Sequence, residues 1–153
     1  MTTIAGLPAH VLFVHAIVVL APLAALLEIL CAFWPAARRR LVWLVLAFAI
    51  VNLALTPFTT EAGEWLYDQQ GQPSPILQEH AERGDWMIYF SAALLVVAVA
   101  LAVLHWLESR SDKPRSIVAV VVAIVALGVG VSSIVGVVRI GDSGAHAVWG
   151  GQG

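Results

Sequence analysis

At 153 residues the chain has about one domain's length, but 60% of it is hydrophobic, only 12% is charged, and its mean hydropathy is +0.89. Eight Lys and Arg against ten Asp and Glu give a net charge of −2, which leaves no basic surplus to hold nucleic acid. One cysteine, Cys31, permits neither an internal disulfide nor a Cys-cluster metal site, so the composition excludes a typical soluble enzyme and a disordered chain and points to an integral membrane protein.

A helix needs about 20 apolar residues to cross the hydrocarbon core, and four segments qualify. In chain order they are 11–34, 41–58, 86–107 and 117–138. Their length and their Val, Leu and Ala content suit helices rather than barrel strands. The fold expected is an all-α, up-down four-helix membrane bundle, with 1–153 as a single membrane domain. The leader before the first span carries no Lys or Arg, so that span reads as a retained helix rather than a signal peptide.

The first span holds Pro22, a candidate kink. It also holds Glu28, the one carboxylate well inside a span; its place near the inner end suggests that it reaches Arg38–Arg40 or the interface. Arg38, Arg39 and Arg40 follow the first span, and Arg110, Lys113 and Arg115 follow the third. Both basic clusters fall on one side, which predicts that side to be cytoplasmic and both termini to be extracytoplasmic. The expected location is therefore a bacterial cytoplasmic (inner) membrane, crossed several times. Trp34, Trp43, Trp86 and Trp106 fall at span ends, where indole favours the interface. Asn52 in the second span reads as an interhelical hydrogen-bonding residue.

The loop 59–85 reads as two short outer helices. Thr59-Thr60 would cap the first, and Ser74-Pro75 the second, which would run through His80 and Asp85 into the third span. His105, beside Trp106 at the inner interface, reads as structural. The fourth span carries Gly128, Ser132 and Gly136 every four residues, with Gly130 and Ser133 on a neighbouring stripe. Such spacing lets helices approach closely, within the bundle or against a second copy or a membrane-complex subunit. The glycine-rich ending, 141–151, reads as a segment folding back over the outer mouth.

Four of the five histidines, His10, His15, His80 and His146, fall on the outer side with Glu61, Glu64, Asp68, Glu79, Glu82, Asp85 and Asp142. Histidine with carboxylate suits zinc, copper or iron, and two facing histidines suit a b-type haem. His15 and His80 are the expected core ligands, His15 because it lies about one turn inside an apolar stretch and needs a partner. Glu64 and Asp85 complete the expected metal set, and His10 and His146 the expected cofactor-binding set. His10 and His15 are five residues apart, about 140° around a helix, so at most one faces the bundle. A polar rim of caps and ion pairs, with Arg83 and Arg139 neutralising Glu61, Glu64 or Asp142, is the competing reading. No catalytic fingerprint is present. The apolar span centres disfavour a transporter.

The opening Leu7-Pro8-Ala9-His10-Val11-Leu12-Phe13-Val14-His15 resembles the start of the four-span bacterial family called domain of unknown function 2231. Residues 59–66, 79–85 and 138–149 are similar to its actinobacterial branch. Val11 stands where the wider family has proline, and the ending lacks that family's Gly-Gly-x-Leu-Val-Tyr pattern. The resemblance implies a membrane protein, sometimes encoded with redox proteins, whose recurring histidines match His10, His15 and His80. Two functions follow as expectations: an outward metal or haem module linked to respiratory electron transfer or metal handling, or a non-catalytic accessory subunit of a larger membrane complex.

Overall fold

The computed structural model describes residues 3–4, 6–110 and 116–150; Lys113, Arg115 and Gly151, used in the reading above, lie outside them. A two-stranded antiparallel hairpin opens the chain, β1 (Thr3–Ile4) against β2 (Leu7–Pro8). Gly6 turns it at φ +83°, a backbone region that glycine enters without a Cβ clash. Helices α1 (Ala9–Phe33), α2 (Pro35–Asp68), α3 (Pro75–Asp85), α4 (Met87–Ser109) and α5 (Ser116–Trp149) follow. Four helices are long and apolar enough to cross a membrane, with α3 leading into the third. The protein is an all-α membrane bundle.

Local chemistry sets the breaks. Trp34 takes φ −124°, ψ 99° because the following Pro35 crowds it out of the helical region, and Pro35 then occupies a first-turn position that needs no N–H. One residue therefore separates α1 from α2, which forces them antiparallel. Ser74 caps α3, its Oγ accepting from the Leu77 N–H at 3.3 Å. Trp86 alone interrupts the path from α3 to α4, and its N–H still bonds the Arg83 carbonyl at 3.1 Å.

The helices form a ring in which α1 and α4 each contact both α2 and α5. The buried face of α2 is Arg38, Val42, Val45, Ala49, Asn52, Thr56 and Thr59, an alternating three- and four-residue spacing. The apolar core has two parts. One, around Cys31, Val45, Val97 and Leu101, fills the end where the helices are joined by the 34 and 111–115 connectors. The other, around Ile17, Ala21, Leu94 and Val137, fills the end that bears both termini. Between α2 and α4 the Asn52 amide donates to Ser91 Oγ at 3.0 Å, and Thr56 Oγ1 lies 2.8 Å from the same oxygen. This is the interhelical role expected of Asn52.

Of the two small-residue stripes on α5, Gly130 and Ser133 are buried, while Gly128 and Ser132 face outward. A Cβ at Gly130 would come within 2.8 Å of Ile29 Cδ1, so glycine lets α5 lie close to α1.

Two loop expectations are overturned. Thr59 and Thr60 start no new helix: α2 runs unbroken through them, and their hydroxyls donate back to the Leu55 and Thr56 carbonyls at 2.9 and 2.8 Å. The ending does not fold back either, because α5 continues helically to Trp149.

Candidate functional site

At 1.5 Å per residue, the 34 residues of α2 and of α5 each reach about 51 Å, well beyond a hydrocarbon core of about 30 Å. Their excess length lies at the terminal end. There the last turns of α2, the short α3 and the last turns of α5 build a polar head on the bundle.

Two histidines meet in that head. His10 stands in the first turn of α1, directly after the hairpin. Its Nδ1 lies 2.9 Å from the Thr59 carbonyl oxygen of α2. His80, midway along α3, places Nδ1 3.1 Å from the Ile140 carbonyl oxygen and 3.3 Å from Ser143 Oγ, both on α5. Ser143 Oγ itself donates to Ile140 O at 2.9 Å. A carbonyl only accepts, so in each ring Nδ1 carries the proton and donates. In a neutral ring that tautomer puts the lone pair at Nε2, and neither Nε2 has a hydrogen-bond partner among the described residues. The rings lie edge to face with centroids 6.3 Å apart.

Glycine makes room for both rings. A Cβ at Gly63 would lie 2.8 Å from His10 Cε1 and Nδ1, and one at Gly144 would lie 2.9 Å from His80 Cε1. Burial pushes the His80 pKa below the ordinary 6.5, the Ile140 carbonyl opposes that by stabilising the N–H, and His10 lowers it further. Burial thus favours the neutral form of His80, the form in which an imidazole binds a metal ion.

The other expected ligands are elsewhere. His15 is exposed, its Nδ1 2.5 Å from the Val11 carbonyl oxygen of its own helix, so His10 rather than His15 stands beside His80. Glu64 and Asp85 line an open groove of about 390 Å³ with Glu61, Pro57, Thr60 and Ile88, and neither histidine lines it. His146 is exposed on the last turns of α5, its Nδ1 2.9 Å from the Asp142 carbonyl oxygen and 3.4 Å from its carboxylate. Arg83 pairs with Glu79 on its own helix. Among the described residues, no three His, Cys, Asp or Glu side chains gather where they could hold a metal ion. What is assembled is a pair. Sequence reasoning missed its supports, Thr59, Gly63, Ser143 and Gly144. The buried face of α1, taken back from Ala24 through Ile17 in steps of seven, reaches His10, and that signal selects it over His15.

Residues 6–152 match the family described as a predicted membrane protein (DUF2231). The chain belongs to that family. No curated protein and no solved structure matches it.

The opposite end of this DUF2231 protein holds a second polar cluster. Arg38 is 1% exposed. Its Nε and Nη2 donate to the Glu108 carboxylate of α4, the shortest contact being 2.7 Å. Its Nη1 donates to the Cys31 and Ala32 carbonyls at 2.8 and 3.3 Å, where α1 ends with unsatisfied oxygens. Arg38 thus joins α1, α2 and α4. Against the expectation from sequence, Glu28 reaches neither an arginine nor the interface: it is fully buried, its carboxylate has no hydrogen-bond partner among the described residues, and every Arg38 nitrogen is already engaged.

Proposed function

We propose that this DUF2231 protein is a bacterial inner-membrane module that holds a transition-metal ion at its extracytoplasmic end, through Nε2 of His10 and of His80, for metal handling or electron transfer beside the respiratory chain. One observation carries the reading. Both Nδ1 atoms donate to carbonyls of a neighbouring helix, so both free lone pairs are at Nε2 and the rings are held 6.3 Å apart. Backbone carbonyls orient metal-ligating histidines in this way.

Two nitrogen ligands from separate helices leave further coordination positions to water or an incoming donor. That arrangement suits an ion passed on rather than one locked in a closed structural site. Imidazole accepts zinc, copper or iron. Each ring also lies against helix backbone at Gly63 or Gly144, which favours a bare ion over a haem macrocycle. Arg38–Arg40 at the connector end support a cytoplasmic placement of that end, and so an outward placement of the histidines.

Elemental analysis of protein purified from native membranes without chelator tests the reading. About one equivalent of copper, zinc or iron is expected, and its loss in the H10A/H80A double variant. Full occupancy in that variant would refute the assignment, and an absorption spectrum separates haem from a bare ion. The accessory-subunit reading has its own support: Gly128 and Ser132 face outward one turn apart on α5. Stoichiometric co-purification with other membrane subunits, lost in G128L/S132L, is its expected result.

A further inference from the structure

Six of the eight Lys and Arg residues fall in 38–40 and 110–115, at the connector end of the bundle. The other two, Arg83 on α3 and Arg139 on α5, line one groove, an open cleft of about 420 Å³ between α4 and α5. Below the arginines its walls are apolar. Trp86 and Phe90 stand one turn apart at the start of α4, and Val131 and Val135 one turn apart on α5. Both valines are half-exposed. A Cβ at Gly136 would lie 2.6 Å from Phe90 Cζ, so that ring takes the space a side chain would fill. The groove between α2 and the start of α4, lined by Glu61, Glu64 and Asp85, has the opposite sign.

The two arginines stand at one level of the membrane. Arg139 follows directly on 117–138, a stretch with no ionisable side chain, and Arg83 precedes the span 86–107 by three residues. From Arg139 back to Val131 is about 12 Å along α5. The groove therefore runs from a cationic rim into the hydrocarbon. Arg139 has no ion pair among the described residues. Arg83 pairs with Glu79, but both side chains are more than a third exposed, and such a pair holds weakly. Asp142, one turn beyond Arg139, lies against His146 instead. Neither Glu79 nor Asp142 lines the groove.

We propose that this groove holds one anionic phospholipid, its phosphate on Arg139 and Arg83 and an acyl chain along Phe90, Val131 and Val135. A guanidinium offers a planar fork of donors that suits phosphate oxygens. The Trp86 indole suits the headgroup boundary. A lipid with a net negative headgroup neutralises both arginines, whereas the cation of a zwitterionic one opposes them. A second copy docked on this face about a twofold axis would bring its own Arg83 and Arg139 to the same level, like charge against like. The lipid site uses neither His10 nor His80 and stands apart from the metal reading.

Native mass spectrometry of the full chain in mild detergent tests this, with phosphatidylglycerol and phosphatidylcholine of identical acyl chains titrated separately. One phosphatidylglycerol adduct is expected at concentrations where phosphatidylcholine gives none. An arginine near anionic lipid is worth about fivefold in affinity, so R139Q should weaken the adduct by about that factor and R83Q/R139Q by more. R83K/R139K should retain most of the binding, and R39Q/R40Q, at the other end, all of it. E79Q, which frees Arg83, should tighten the adduct, a gain that misfolding does not produce. S132F fills the cleft at unchanged charge and should displace the lipid. Equal adducts with both lipids, or an adduct unchanged in R83Q/R139Q, overturn the proposal. An adduct unchanged in S132F overturns it too, because the acyl chain then lies outside the groove. So does equal binding of glycerol phosphate, which has no acyl chain, and so does a dimer that S132F abolishes while no lipid is bound, because a second copy then fills the face.

Discussion

A single methyl group tests the histidine pair. Alanine at 144 would place Cβ 2.9 Å from His80 Cε1 and 3.2 Å from Nδ1, so the ring must turn away from Ile140 and Ser143. Groups that orient a ligating histidine are worth about 10–100-fold in metal affinity, so G144A is expected to weaken metal binding by that order, measured by chelator competition. G63A should do the same through His10. Stability is the wrong readout, since Gly→Ala within a helix itself gains up to about 1 kcal/mol. His80 supplies a pH test as well. Burial disfavours its charged form in the folded state, so the unfolded chain takes up the proton more readily. The contribution is complete above the unfolded value of 6.5 and is lost as pH falls through it, with a slope of at most about 1.4 kcal/mol per pH unit. Unfolding midpoints measured from pH 8 to pH 5 should fall more steeply for wild type than for H80Q.

Helices bind these residues into one object, and the Arg38 junction tests how. Truncating one member of a buried ion pair costs about 3–5 kcal/mol, and R38A should fall at the lower end because Glu108 can reach water. The same change strands the last carbonyls of α1. E108Q should cost less, because Arg38 keeps those carbonyls. Thermal unfolding in a mild detergent checks the order R38A, then E108Q, then wild type. At this scale the spans were legible, since twenty apolar residues in lipid leave the backbone little choice. Helix ends were not. Thr59-Thr60 has the chemistry of a cap, but with no break before it the hydroxyls simply bond back within α2. Gly141 and Gly144 read as loop, yet α5 continues through both to Trp149, and the His80 ring packs where Gly144 lacks a side chain. Spacing alone showed that His10 and His15 diverge. Which one faces inward depends on the neighbouring helices, and a single chain read along its length does not display them.

Over the whole molecule, the histidine pair ties parts that are far apart in sequence. His10 leads the first span, His80 precedes the third, and their carbonyl partners sit on α2 and α5. A metal ion held by both Nε2 atoms would bridge α1 to α3 at the end of the bundle where no connector joins those helices directly. Such a ligand binds the folded chain and not a chain whose histidines have separated. It should therefore stabilise by RT ln(1 + [L]/Kd), about 2.7 kcal/mol at a hundredfold excess over Kd. Saturating copper or zinc is expected to raise the unfolding temperature of wild type and to slow proteolysis of the 69–74 loop, which joins α2 to α3. H80A should lose the effect entirely, while H15A should keep it, because His15 is exposed and bonded within its own turn. Lowering the pH through the depressed pKa of His80 should weaken the metal effect in wild type, as protons compete for the ligating nitrogen. If H15A abolishes the stabilisation and H10A does not, the pairing seen at the head of the bundle is not the metal-binding one.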